Sequence, residues 1–208
     1  LEVLDSDINS SLGFVSIQIG DQLIYDIQFS TDPGSAEDNE CYPSPYLGQT
    51  VEIHGIVTAS RFFSSTRPDF FIQQSDDSNL GWSGIYVYNA NGNIYNAGDE
   101  IIIEAEVDEY YGSTQLKNIS SSEIISVNNE IDPITIDTGD LGLYCGDGEI
   151  YEGMLVRFEN VAVESVNDYD DVYINDGSGS TKIGDYFFDN DYGDFPAYCE
   201  GDVIDDIV

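Results

Sequence analysis

GQTVEIHGIVTA (48–59) and GMLVRFENVAV (153–163) decide the fold of this chain. Each begins at a glycine and continues as an alternating, β-branched run, the pattern of a strand with one buried face. Gly48 and Gly153 stand 105 positions apart, as do Val51 and Val156. The match resumes downstream: DFFIQQSD (69–76) answers DVYINDGS (171–178), and AGDEIIIEAEV (97–107) answers EGDVIDDIV (200–208). The first copy then runs on into EYYGSTQLKNIS (109–120), whereas the second stops at Val208. A repeat of this length predicts two copies of one β-module. The second copy is expected to lack its last strand, and a sheet without its last strand has an open edge that invites another chain.

The composition agrees. Of 208 residues, 41% are hydrophobic and 12% aromatic, enough for packed cores, and 15 Tyr and 20 Gly against a single Met suit strands and turns. No sustained 3.6-residue apolar period occurs, so the expected class is all-β. Strands are expected near 50–59, 69–74, 84–88, 99–108 and 113–118, with a further alternation at 122–127. The second copy should supply 154–165, 171–175, 181–188 and 202–208. In the first long strand Val51, Ile53, Gly55 and Val57 share one face and should point inward, leaving His54 outside as an incidental surface histidine.

Five short strands, the first bending at Gly55 to serve both sheets, describe a small Greek-key barrel of the OB type. An immunoglobulin-like sandwich would need about seven strands and a buried Trp, and Trp82 sits in the loop-like stretch GWSG. The reading is two tandem OB-like Greek-key barrels, the second without its last strand, plus an extra N-terminal strand. The expected boundaries are an N-terminal strand or hairpin and donor-strand candidate at 1–29, an acidic loop at 30–46 and a first barrel at 47–127. A linker at 128–149, with one short strand near 134–137, leads to the incomplete barrel at 150–208. FVSIQIGDQLIYDIQF (14–29) alternates on both sides of Gly20 and Asp21, a dipeptide suited to a hairpin turn.

Five Lys+Arg oppose 41 Asp+Glu, a formal charge of −36. Such a field repels polyanions, so direct nucleic-acid binding is unlikely. It draws counter-cations instead, and stability should rise with salt or millimolar Ca²⁺. Asp189, Asp191 and Asp194 in DNDYGD form the leading Ca²⁺ candidate, with NDYDD (167–171) and DDSN (76–79) behind it. Acidic turns facing water are the simpler explanation for all three. No cofactor is required by any motif, and no apolar run is long enough to span a bilayer. Leu1 is expected to be a processed or trimmed N-terminus. The low Lys content and sequons at Asn9 and Asn118 point to a secreted product.

Three cysteines allow one internal pair. Cys41 and Cys145 hold equivalent repeat positions, and Cys199 stands where the first copy has Asn96. The economical bridge is Cys145–Cys199, leaving Cys41 free or bonded to another chain.

At this point YDIQF (25–29), SPYLGQTVEIHGIVTA (44–59), FFIQQSD (70–76), GWSGIYVYN (81–89), GDEIIIEAEVDEYYGSTQL (98–116) and YEGMLVRFENVAV (151–163) acquire a family likeness. Together they resemble the tandem OB-like region found N-terminal to the endonuclease/exonuclease/phosphatase domain of secreted bacterial nucleases, and in other surface proteins. The resemblance covers residues 25–208. It implies the fold, an extracellular or cell-surface location, and a C-terminal catalytic domain that is not present in this sequence. It carries over no catalytic residue.

Nor do the residues themselves assemble a catalyst. A metal-dependent phosphodiesterase needs a His paired with Asp beside carboxylates and Asn, and a serine hydrolase needs its Ser in a strained turn beside His. The reading is therefore not an enzyme. The expected function is a structural subunit, with Val15, Ile17 and Ile19 entering the vacant strand position of the next copy and building a fibre or surface layer. The alternative is an accessory glycan- or nucleic-acid-binding module of a secreted nuclease or adhesin, using Arg61, Phe63, Arg67, Tyr86 and Tyr88. A neutral glycan suits that face better than DNA.

Overall fold

The computed structural model describes residues 22–35, 41–64, 67–74, 81–88, 90, 92–142, 146, 148–167, 171–184 and 195–208, the side chains at 62–64 and 67 excepted. The fold is all-β. Strands β1 (Thr50–Ser64), β2 (Arg67–Gln73), β3 (Gly84–Val87), β4 (Glu100–Tyr110) and β5 (Ser113–Ser126) close a barrel in the order β1-β2-β3-β5-β4. β3 and β5 run parallel and the other pairs antiparallel, which is the OB arrangement. β1 closes the barrel because it serves both sides: residues Thr50–Ile56 pair with β4, and Ile56–Ser64 pair with β2. Val51, Ile53 and Val57 face the core as the alternation requires, while His54 lies on the outside with its ring on Glu100. The runs expected at 113–118 and 122–127 are one continuous strand, β5.

The helix α1 (Ile24–Gln28) replaces the strand expected at 22–29. IYDIQF alternates by chance, but Ile24 and Ile27 are three apart and both are completely buried against the barrel core. One helical turn places both on the same face, which a strand could not do. Only Gln22 keeps a strand-like contact, a parallel bridge to Ile53. Tyr25, Phe29, Trp82 and Tyr42 then form a chain of ring contacts that ties this segment to the start of β3. Residues 14–20, the other arm of the expected hairpin, lie outside the described residues.

Beyond the barrel, the expected linker contains β6 (Ile134–Thr135) and a second short helix, α2 (Thr138–Leu141). β7 (Val156–Val166), β8 (Val172–Asn175), β9 (Ser180–Ile183) and β10 (Val203–Ile207) form a second sheet in the order β10-β7-β8-β9, with β6 parallel to the start of β7. Its core gathers Phe158, Val161, Val163, Val172 and Ile174, capped by Ile136 from the segment before β7.

The turns before β4 and β10 share one pattern of backbone hydrogen bonds. In the barrel Gly98 N–H donates to Val57 O and Val57 N–H to Asp99 O; in the second sheet Gly201 N–H donates to Val163 O and Val163 N–H to Asp202 O, all at 2.8–2.9 Å. Asp99 Oδ2 accepts from Asn96 N–H and Asp202 Oδ2 from Cys199 N–H, both at 2.8 Å. Cys199 therefore stands in the place of Asn96, as the alignment of the two copies expects.

The disulfide expectation is corrected. Cys41 is disulfide-bonded and Cys199 is a free, exposed thiol, so the bridge is not Cys145–Cys199. Cys199 is committed by its backbone to the turn before β10, which leaves its side chain in water. Cys145 itself lies outside the described residues.

Candidate functional site

The barrel and the second sheet differ in one respect that bears on function. In the barrel β5 lies between β4 and β3, pairing with β4 from Glu100↔Ser126 to Tyr110↔Ser113 and with β3 at Tyr86↔Gln115 and Val87↔Leu116. It drops Leu116 and Ile119 into the core, where both are buried. In the second sheet β10 pairs only with β7, and β9 only with β8, among the described residues. Among the described residues β9 and β10 are therefore the two outer strands of this sheet. Along them Val203 is 68% exposed, and Ile204, Ile207 and Ile183 are only partly buried against the core. A strand entering there would run antiparallel to β10 and parallel to β9, as β5 does in the barrel.

A second feature lies where barrel and second sheet meet. The segment before β7 docks on β2 and β3: Trp82 N–H donates to Ile150 O at 2.6 Å, and Leu155 N–H to Gln73 Oε1 at 2.8 Å. The approach is so close that a Cβ on Gly84 would sit 2.2 Å from Gly153 O. This docking brings three carboxyls together. Glu109, at the end of β4, accepts from Ser44 N–H at 2.8 Å and from Thr114 Oγ1 at 2.6 Å. Glu152 accepts from the Ser113 hydroxyl. Glu149 Oε1 lies 2.6 Å from the Cys41 sulfur. A bridged sulfur has no proton to give, so that contact is a hydrogen bond only while Glu149 keeps its own proton.

The electrostatics favour that state. Burial, then the charge of Glu109, raises Glu149 from 4.5 to about 7, and burial with the charges of Glu149 and Glu109 raises Glu152 to about 8. Beside these carboxyls opens a cleft of about 640 Å³ between the β4–β5 hairpin and β8–β9, lined by Tyr111, Gly148, Glu149, Tyr173, Thr181 and Lys182 among others.

The residues singled out from sequence fare unevenly. Arg61 is buried, at 8% exposed, so it does not project from an open binding face. Tyr86 and Tyr88 are half-buried, and the Tyr86 ring packs on Phe71 across the strand pair at 5.1 Å. The side chains of Phe63 and Arg67 lie outside the described residues, as do Val15, Ile17, Ile19, Asn9, Asp189, Asp191 and Asp194. Asn118 is exposed on β5 and donates through Nδ2 to Glu106 at 3.0 Å. Within NDYDD, Asn167 and Asp171 hydrogen-bond each other, and Asp171 also takes Lys182 at 3.2 Å. Among the described residues no three His, Cys, Asp or Glu side chains are grouped to hold a metal ion.

Lys117, Arg157 and Lys182 are each ion-paired to acids, so they form no basic groove. His54 and the Ser126 hydroxyl both bond to Glu100, on opposite oxygens. The serine therefore gives its proton to a carboxylate rather than to an imidazole, which is not the geometry of an activated nucleophile. Glu109, Glu149, Glu152 and Tyr111 are the site residues that sequence reasoning missed.

No family model matches the chain, and no curated protein matches it. Among solved structures, it is similar to the second OB-fold domain of replication protein A from Methanococcus maripaludis, at 17% identity and a TM-score of 0.26, covering 42% of this chain and 91% of that one. A likeness at that level carries no functional argument.

Proposed function

We propose that this protein is a non-catalytic extracellular structural subunit that assembles head to tail by strand complementation. In this reading the second sheet is an OB-like barrel lacking its fifth strand, and residues 14–19 of another copy supply it. The observation that carries the reading is that β9 and β10 each have one strand partner among the described residues, set against the position between β3 and β4 in the barrel, which β5 fills. Charge supports the choice of donor. The first ten residues of β5, 113–122, contain no Asp or Glu, and residues 8–20 are likewise free of acids. In a chain of charge −36, a strand that brings no further negative charge toward Asp205 and Asp206 is the one that can pair there. The disulfide at Cys41 supports an oxidising, extracellular setting.

Each donated strand satisfies a row of backbone groups and buries Val15, Ile17 and Ile19, worth about 1.5–3 kcal/mol each when fully covered. The contact is heterologous, so it propagates into a fibre or layer unless it closes into a ring. Light scattering coupled to size exclusion tests the proposal with the full chain, a variant lacking residues 1–20 and the point variant Ile17→Asp. Concentration-dependent polymers that vanish in both variants are expected. A monomer at high concentration with the intact N-terminus, or polymers unaffected by Ile17→Asp, would overturn it. A slot filled in cis by sequence following Val208 would show itself as such a monomer.

A further inference from the structure

We propose that the cleft between the β4–β5 hairpin and β8–β9 is a binding site for neutral carbohydrate, with Tyr111 and Tyr173 as its stacking surfaces. The inference begins at the hairpin. Tyr110 pairs with Ser113, so the turn has two central residues, Tyr111 at φ 54° and Gly112 at φ 80°. Both central positions of such a turn require the left-handed region, where Asn and Gly sit without strain and a bulky aromatic does not. Tyr111 is held there 77% exposed, with the Tyr110 ring edge-on against its own at 4.7 Å. Neither burial nor turn chemistry accounts for a tyrosine at this position; display of its ring does.

The opposite wall is laid out to match. Tyr173 alternates outward from β8 between the buried Val172 and Ile174, and its cross-strand neighbour is Lys182. Lys182 and Glu149 are polar lining groups of the cleft. With its Oε1 engaged on the Cys41 sulfur, Glu149 offers its other oxygen as an acceptor for a sugar hydroxyl. The positively polarised C–H face of a pyranose stacks on the negative face of a phenol ring. A concave site with two aromatic walls and a few convergent polar groups is how such ligands are held. The chain's overall charge of −36 disfavours an acidic glycan or a nucleic acid and leaves a neutral one.

The test is isothermal titration calorimetry of the full chain with four neutral hexasaccharides: cellohexaose, laminarihexaose, mannohexaose and chitohexaose, with dextran sulfate as the anionic control. Saturable binding of at least one neutral glycan is expected, with affinity at least about tenfold weaker in Tyr111→Asn and in Tyr173→Thr. Tyr111→Asn installs the residue the turn prefers, so its melting temperature should equal or exceed that of the parent and lost binding cannot be ascribed to misfolding. Absence of binding to all four, or unchanged affinity in Tyr111→Asn, would overturn the proposal. No residue of β10 lines the described cleft, and the point variants Tyr111→Asn and Tyr173→Thr leave the proposed donor strand untouched, so failure of this test is distinguishable from failure of strand exchange.

Discussion

Replacing Glu152 by glutamine should leave stability nearly unchanged in acid and raise it progressively as pH climbs through neutrality. Glu152 sits in the seam between the β4–β5 hairpin and the segment docked on β3, where burial and the charges of Glu149 and Glu109 push its carboxyl from 4.5 to about 8. The folded state thus holds a proton that the unfolded chain releases near pH 4.5. Below that pH both states are protonated and nothing is lost. Between 4.5 and about 8 only the unfolded chain ionises, and folding loses about 1.4 kcal/mol for each pH unit.

Complete shielding would bring that loss to about 5 kcal/mol. Glu152 is only partly covered, and screening by water at its open side reduces the figure to about 2–3 kcal/mol. Glutamine is neutral throughout, and its Oε1 still accepts from Ser113. Urea unfolding of both proteins across this range, under identical salt, cancels the titration of the other acids. The stability difference should be near zero at about pH 4.5 and favour the variant by about 2 kcal/mol or more at pH 8–9. A difference that is constant with pH would refute the reasoning.

Three further outcomes follow from named contacts. Gly84→Ala forces a Cβ to within 2.2 Å of Gly153 O, so it should cost about 1–3 kcal/mol in denaturant unfolding, while Gly184→Ala, with open space around it and no left-handed backbone, should cost far less in the same assay. Under native, non-reducing conditions a thiol reagent should label Cys199 and spare Cys41, and prior reduction should lower stability by about 2–4 kcal/mol through loss of the Cys41 bridge. The melting temperature should climb with NaCl or millimolar Ca²⁺, because cations screen a formal charge of −36; indifference to both would remove any structural role for them.

The strands were legible because they rest on local pattern. The alternation through Val51, Ile53 and Val57 records which face of β1 is covered, and the Gly-Asp pairs before β4 and β10 record the same hydrogen-bonded turn. α1 was not legible, since IYDIQF satisfies the strand period as well as the helical one. What selects the helix is the end of the barrel core, into which Ile24 and Ile27 fit together. The disulfide escaped for a related reason: equivalence of Cys199 with Asn96 described its backbone correctly and said nothing of where its sulfur points. The carboxyl seam was hidden by abundance. With 41 acids in the chain, Glu109, Glu149 and Glu152 look like solvated surface until the docking of two glycines brings them together. Tyr111 alone carried a readable sign, an aromatic residue where a hairpin wants Asn or Gly.

Strand complementation meets its most direct test in hydrogen–deuterium exchange, followed by mass spectrometry on peptides covering residues 12–20 and 202–208 across a dilution series. Both peptides should be protected together at concentrations where polymers form, and should lose protection together on dilution and in Ile17→Asp. Rapid exchange in 202–208 at every concentration, or protection there while 12–20 exchanges freely, would contradict donation of that strand to β10.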